Sequence, residues 1–297
     1  MNPGTIAMHT IRMALPDSRL MPFVRCFAQR EMSTETSSLA QIALAQLEHT
    51  LSFYLQGRPT MHYWSGRTAV LPRIHFVGAH TRSPGYAYFA GHISAFGIFL
   101  KPFASWQLFR IPPAEFAEQE FQAQEVFGPW ITELWLKLAE CATFYERIQV
   151  ATKMLLPFAE HAGSLTRTMA AAQDLFQIDS GTRIPQLARE ACMSVRTYER
   201  NFVGDMGISP KLFARLRRFQ LALDRKRASR SSWLNVAHDL GYFDQMHMVK
   251  EFREFGGDAP STVVKNCGDH QPWSIGVPLS LNHVMTKEFP NDSLMVR

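Results

Sequence analysis

The 297-residue chain is 46% hydrophobic and 19% charged, with a formal net charge of +5; that suffices for two domains with ordinary cores and excludes a disordered chain. No run approaches the roughly 18 apolar residues of a membrane span, and the first twenty residues hold no continuous apolar stretch after a basic start. The expectation is a cytoplasmic protein with no membrane partner. Cys26, Cys141, Cys192 and Cys267 stand far apart, with neither a CxxC pair nor a zinc-knuckle spacing, and read as reduced thiols packed as small hydrophobes.

The N-terminal half reads mainly as strands. Apolar runs such as Ile74-His75-Phe76-Val77 and Phe96-Gly97-Ile98-Phe99-Leu100 are separated by the turn signals Ser65-Gly66 and Ser83-Pro84-Gly85. A small β sandwich or barrel over residues 1–129 is expected. Residues 39–55, LAQIALAQLEHTLSFYL, begin like a helix and end in strand formers, so both readings stay open there. His62, His75, His80 and His92 lack the HxH pair and following carboxylate of a cupin-type metal site; no metal or other cofactor is expected, and hydrogen-bonded histidines are the plainer reading. Tyr63, Trp64, Tyr86, Tyr88, Phe96, Phe99 and Trp106 read as core, with the lining of a small-molecule pocket as the alternative.

From Trp130 the period changes. Trp130, Leu134, Leu138 and Cys141, then Ile148, Thr152, Leu155 and Phe158, recur at spacings of three and four. They predict a helical pair linking two domains over residues 130–163, a segment suited to dimerisation, with Pro157 ending or kinking the second helix. From residue 164 to 265 the chain reads as helix and short turn. Ser164 to Gly268 hold 16 Lys+Arg against 11 Asp+Glu, a surplus equal to the net charge of the whole chain; such asymmetry suits a polyanion-binding domain joined to a neutral one. The tail, residues 266–297, has three prolines and no sustained periodicity.

An internal repeat runs through the basic segment. Leu187-Ala188 corresponds to Val236-Ala237 at an offset of 49 residues, whereas Ser194, Phe202, Gly207 and Pro210 correspond to Asp244, Phe252, Gly257 and Pro260 at an offset of 50. The second copy therefore carries one extra residue in its turn. Each copy supplies a helix with a small residue where a second must cross, a tight turn, a capping Ser or Asp, and a helix ending at a glycine followed by a proline. Between the copies, Leu212, Leu216, Phe219 and Leu223 mark one face of a connecting helix; Lys211, Arg215, Arg217, Arg218, Arg225, Lys226 and Arg227 make much of the rest basic. Two helices can read successive major-groove segments if they stand roughly 34 Å apart, about one turn of DNA; a stiff helix can fix that distance while basic groups hold phosphates.

Residues 184–264 resemble the DNA-binding domain of the AraC/XylS family. IPQLAREACMSVRTYERNFVGDMGISP is similar to its first helix-turn-helix, and LNVAHDLGYFDQMHMVKEFREFGGDAP to its signature segment, with Ala before a Gly-aromatic pair, then Gln-x-His, a Phe and a terminal Gly-x-x-Pro. Cys192 stands where a turn glycine is common, which predicts a strained turn, and Met248 where an aromatic residue is usual. The resemblance implies an α+β multidomain regulator: a mostly β N-terminal sensor domain and an all-α C-terminal domain with two helix-turn-helix units. More loosely, the run from Phe76-Val77-Gly78 to Phe127-Gly128-Pro129 resembles the sensor domains that precede such units.

The resemblance implies base contacts at Arg196, Glu199 and Arg200, and Thr197 shares their exposed face. Gln245, Met246, Val249 and Lys250 occupy the corresponding face of the second copy, where Gln suits adenine and Met or Val a thymine methyl. Ser194, Lys211, Arg215 and His247 are candidates for phosphate. Double-stranded DNA is the expected partner; an activator would also meet RNA polymerase. A small-molecule effector of unknown identity and a homodimer are further expectations. No GxSxG, P-loop, Rossmann fingerprint or HExxH occurs, so no catalytic residue is expected. Control by a protein partner and non-specific DNA architecture remain open as rivals.

Overall fold

The computed structural model describes residues 6–34, 38–177, 183–228 and 231–267. Among them, ten strands precede most of the helices: β1 (Ile6–Ala14), β2 (Val24–Thr34), β3 (Leu39–Ala43), β4 (His49–Gln56), β5 (Thr60–Tyr63), β6 (Thr68–Val70), β7 (Ile74–Val77), β8 (Gly85–Phe89), β9 (His92–Leu100) and β10 (Glu120–Gln122). They pair antiparallel in two sheets, ordered β1-β2-β9-β4-β7-β10 and β3-β8-β5-β6. The expected small sandwich is thus present.

The ambiguous stretch 39–55 divides into β3, a connecting segment and β4. Side chains alternate across a strand. β4 sends Leu51 and Phe53 to one core and Thr50, Ser52 and Tyr54 into the space between the sheets. β9 sends Phe96, Ile98 and Leu100 to the first core and Ile93 and Ala95 to the inter-sheet core. Covered on both faces, it reads as an unbroken apolar run.

Helices α1 (Ala104–Phe109) and α2 (Ala123–Phe127) lead into α3 (Pro129–Glu140) and α4 (Phe144–Glu160). The pair expected to be a linker packs onto the larger sheet: Ile131, Leu134 and Leu138 of α3 and Ala151 and Leu155 of α4 share one core with Phe53, Phe76 and Phe96. Thr143 and Glu146 form a reciprocal capping box at the start of α4. Pro157 does not end that helix, which runs on to Glu160. Pro157 and Lys153 both lie on the exposed side, so the carbonyl that proline leaves unpaired can meet water, and Phe158 holds the last turn against Trp130 and Phe109.

The C-terminal unit comprises α5 (Arg167–Gln177), α6 (Ile184–Glu190), α7 (Val195–Met206), α8 (Pro210–Ala228), α9 (Trp233–Asp239), α10 (Gln245–Gly256) and α11 (Pro260–Cys267). α6–α7 and α9–α10 are the two repeats, with Ala188 and Ala237 buried at the crossings. The turns share one hydrogen bond: Met193 N–H donates to the Ala188 carbonyl at 2.8 Å, and Tyr242 N–H to that of Ala237 at 3.0 Å. Cys192 therefore stands where Gly241 stands, and adopts its left-handed conformation, φ 57° against 66°. The extra residue is Phe243, 92% exposed. Ser194 and Asp244 cap α7 and α10, which end at left-handed Gly207 and Gly257. Leu216, Phe219 and Leu223 of α8 are buried between the repeats, while Leu212 is only partly buried. Residues 268–297 of the tail lie outside the described residues.

Two stability predictions follow from these placements. A side chain in the left-handed region costs about 1 kcal/mol, so Cys192→Gly should stabilise the chain by up to about 1 kcal/mol in urea titration. His49 is fully buried edge-on to Phe76 and Phe116, and burial pushes its pKa down to about 4. The unfolded chain takes up this proton near pH 6.5, so stability falls as the pH drops from there towards 4, by about 2 kcal/mol between pH 7 and 5. His49→Leu should remove that part of the pH dependence in denaturation midpoints at the two pH values.

Candidate nucleic-acid interface

α7 and α10 each turn an aromatic face inward and a polar face outward. Tyr198 and Phe202 of α7, and Met248 and Phe252 of α10, are buried in the C-terminal core. Arg196, Glu199 and Arg200 are exposed; Thr197 is half-buried, its hydroxyl 2.9 Å from Ser194 Oγ. On α10, Gln245, Met246 and Lys250 are exposed and Val249 is half-buried. These residues lie in the first half of each helix, the part of a recognition helix that enters the groove.

Ser194 and Lys211 are exposed at the starts of α7 and α8. Arg215, expected to meet phosphate, is also engaged within the protein. Its guanidinium bonds Glu251 at 2.8 Å and also reaches Glu254; Arg218 bonds the same Glu251 oxygen at 2.8 Å. His247 Nε2 lies 3.6 Å from that oxygen. Glu251 is almost wholly buried, and a carboxylate withdrawn from water keeps its charge only where cations are close. Arg215 is therefore tied into a knot between α8 and α10.

The N-terminal unit contributes to this same core. Ile42, Leu44, Ala45, Leu47 and Phe103 cluster with the helix-turn-helix side chains, and Phe103 stacks on Phe213. Ala45 N–H donates to the Phe255 carbonyl at 2.9 Å. Glu48, with no exposure, accepts from Arg25 and, at 2.6 Å, from Gln220 Nε2 of α8. A methyl group at Gly207 would lie 2.6 Å from Ala117 Cβ, and one at Gly257 2.8 Å from Ile42 Cδ1. The N-terminal unit thus touches both recognition helices at their C-terminal ends and leaves their first turns open.

Between the sheets lies a cavity of about 90 Å³, walled by Gln46, Thr50, Ser52, His75, His80 and Glu120 on its polar side. Tyr63 donates to Glu120 Oε2 at 2.6 Å, and His75 Nε2 stands 3.3 Å from the same oxygen. Burial works to raise the Glu120 pKa, but His75, the Tyr63 hydroxyl and His80 outweigh it and hold the carboxyl below its ordinary value. Glu120 was not a candidate on the sequence. The available signal is polar alternation in β4, a strand whose other face carries Leu51, Phe53 and Leu55 beyond His49. Of the other strand-region histidines, His62 packs on Tyr88 and His92 lies 3.8 Å from Glu31. Phe96 and Phe99 are core, whereas Trp64 is largely exposed. Among the described residues no group of three or more His, Cys, Asp or Glu is placed to hold a metal, and no helix is long and apolar enough to cross a membrane.

Two capped recognition helices built by repetition around one shared helix, with open polar faces, define a helix-turn-helix DNA-binding protein. The C-terminal unit is an AraC-type domain, the kind carried by a family of transcription regulators: residues 187–266 match the family described as Helix-turn-helix domain. Residues 12–122 match a Domain of unknown function, DUF6597. No curated protein matches the chain. Among solved structures, an apo variant of ToxT from Vibrio cholerae is similar at 9% identity and TM-score 0.48, over 82% of this chain and 98% of that one. Unsaturated fatty acid-bound ToxT from Vibrio cholerae is similar at 7% identity and TM-score 0.45, over 89% and 96%. The DNA-binding domain of AdpA in complex with a target DNA is similar at 24% identity and TM-score 0.33, over 37% and 99%.

Glu251→Ala should remove the carboxylate that Arg215 and Arg218 share, leaving Arg215 on Glu254 alone, and cost about 1.5–3 kcal/mol in chemical denaturation while weakening DNA binding in the same preparation.

Proposed function

We propose that this chain is a sequence-specific regulator of transcription that reads double-stranded DNA with α7 and α10 and is controlled by an effector at its N-terminal unit. The observation that carries the reading is the exposure of both capped recognition helices along their first halves while α8 and the Glu251 knot hold them in one body. Arg196 and Arg200 suit guanine, Glu199 a cytosine amino group, and Gln245 adenine; Met246 and Val249 suit thymine methyl groups. Thr197 and Lys250 complete the two faces. Ser194, Lys211 and His247 lie where phosphates flank such helices, and the free amides at each helix start favour an anion.

Effector control acts through the segment 41–50. Gln41, Gln46 and Thr50 line the cavity, Ile42, Ala45 and Leu47 pack in the helix-turn-helix core, and Glu48 bonds α8. A ligand that favours one placement of this segment changes DNA affinity only by its difference in affinity for the two states.

Selection from a randomised duplex library with the full chain, followed against salt, tests DNA reading. A two-part motif spaced about one helical turn is expected; a steep salt slope without an enriched motif would instead favour the architectural rival. On the selected site, Arg196→Ala should cost about 1–3 kcal/mol and relax preference at one base pair, whereas Lys211→Ala should weaken all sequences alike and lower the salt slope by about 1.

A further inference from the structure

The inter-sheet cavity holds an acid with an open oxygen. Glu120 Oε2 is occupied by the Tyr63 hydroxyl and neighboured by His75. Oε1 receives no hydrogen bond among the described residues, and its neighbour His80 Nε2 stands 3.9 Å away. His75 Nε2, itself buried at the cavity wall, lacks an aligned hydrogen-bond partner. No Lys or Arg lines the space. The remaining wall is mostly apolar and includes Leu44, Met61, Leu71 and Phe89. A cavity of about 90 Å³ exceeds what several waters require and suits one compact organic molecule. Glu120, His80 and Pro84 also border an outer vestibule with Trp64, Arg82 and Glu118, which gives a route inward.

From this arrangement we infer that the cavity binds a small organic amine, its ammonium group on Glu120 Oε1 and its compact apolar body among Leu44, Met61, Leu71 and Phe89. A cation is the charge that completes a mostly buried carboxylate whose basic neighbours are two imidazoles, neither bonded to Oε1, since an anion at the same place would meet like charge in surroundings of low polarity. The apolar wall favours a hydrocarbon body over a polyol, whose hydroxyls would lose water without gaining partners. The inference rests on the reading that the N-terminal unit receives an effector, and names the chemistry of that effector.

The test uses three ligands of one shape, benzylamine, benzyl alcohol and benzoate, titrated into the full chain by calorimetry. Benzylamine is expected to bind at least tenfold more tightly than the other two. Glu120→Gln should abolish that preference, and Leu71→Phe, which fills space at the apolar wall and leaves the acid untouched, should abolish binding while the chain stays folded by circular dichroism. Equal or tighter binding of the alcohol or of benzoate overturns the inference, as does the absence of binding by all three. DNA affinity measured with and without benzylamine separates the two readings: a bound amine that leaves DNA affinity unchanged overturns effector control and leaves the ligand chemistry standing.

Discussion

Glu48 is wholly buried, and its carboxylate is the charged point among the contacts that tie the two halves of the molecule. Withdrawing an ionised carboxylate from solvent costs several kcal/mol unless close partners replace its hydration. Here one oxygen meets Arg25 of β2 and the other the amide of Gln220 in α8. These bonds are directional, so α8 is set against the larger sheet in one orientation rather than by apolar contact alone. α8 in turn carries both recognition helices, through Phe213 against Phe202 and Phe219 against Phe252 and Phe255. A chain of close contacts therefore runs from β2 to the helix faces open to DNA.

Gly207 and Gly257 each answer two demands. Both lie in the left-handed conformation that lets a helix end with its last carbonyls paired, and both sit where a side chain would strike the N-terminal unit. The same geometry divides each recognition helix: its C-terminal end is a docking point, and its start, at the positive end of the helix dipole, is left uncovered.

The helix-turn-helix repeat was legible because its determinants are local. Caps, buried alanines and terminal glycines recur at fixed offsets, each required by the backbone within a few residues, and the anomalous Cys192 marked a turn that does adopt the conformation of a glycine. The charges were harder to read. Arg215 sits in a run of basic residues that looks solvated, and only the placement of Glu251, 36 positions on, assigns it to a buried knot. Glu48 and Gln220 are 172 residues apart, and an isolated Glu carries no local sign of burial. Pro157 lacks a donor and so predicts an end or a kink, but the helix runs on because tertiary packing of Phe158 outweighs the lost bond. For the same reason the helical pair looked like a linker: its apolar stripe predicts burial without saying against what.

Leu44, Leu47 and Phe103 fill the core of a unit to which they do not belong in sequence. Exchange of regulatory modules between relatives cannot then proceed by cutting near residue 164 and joining any sensor to any DNA reader. A transplanted reader would arrive with an apolar hollow and two glycine-ended helices lacking their abutments, and a transplanted sensor with a hydrophobic prong left in water. Such a pair can diverge in ligand or operator while the surface between its halves changes only in concert, so descent is expected to keep them together as a single inherited unit.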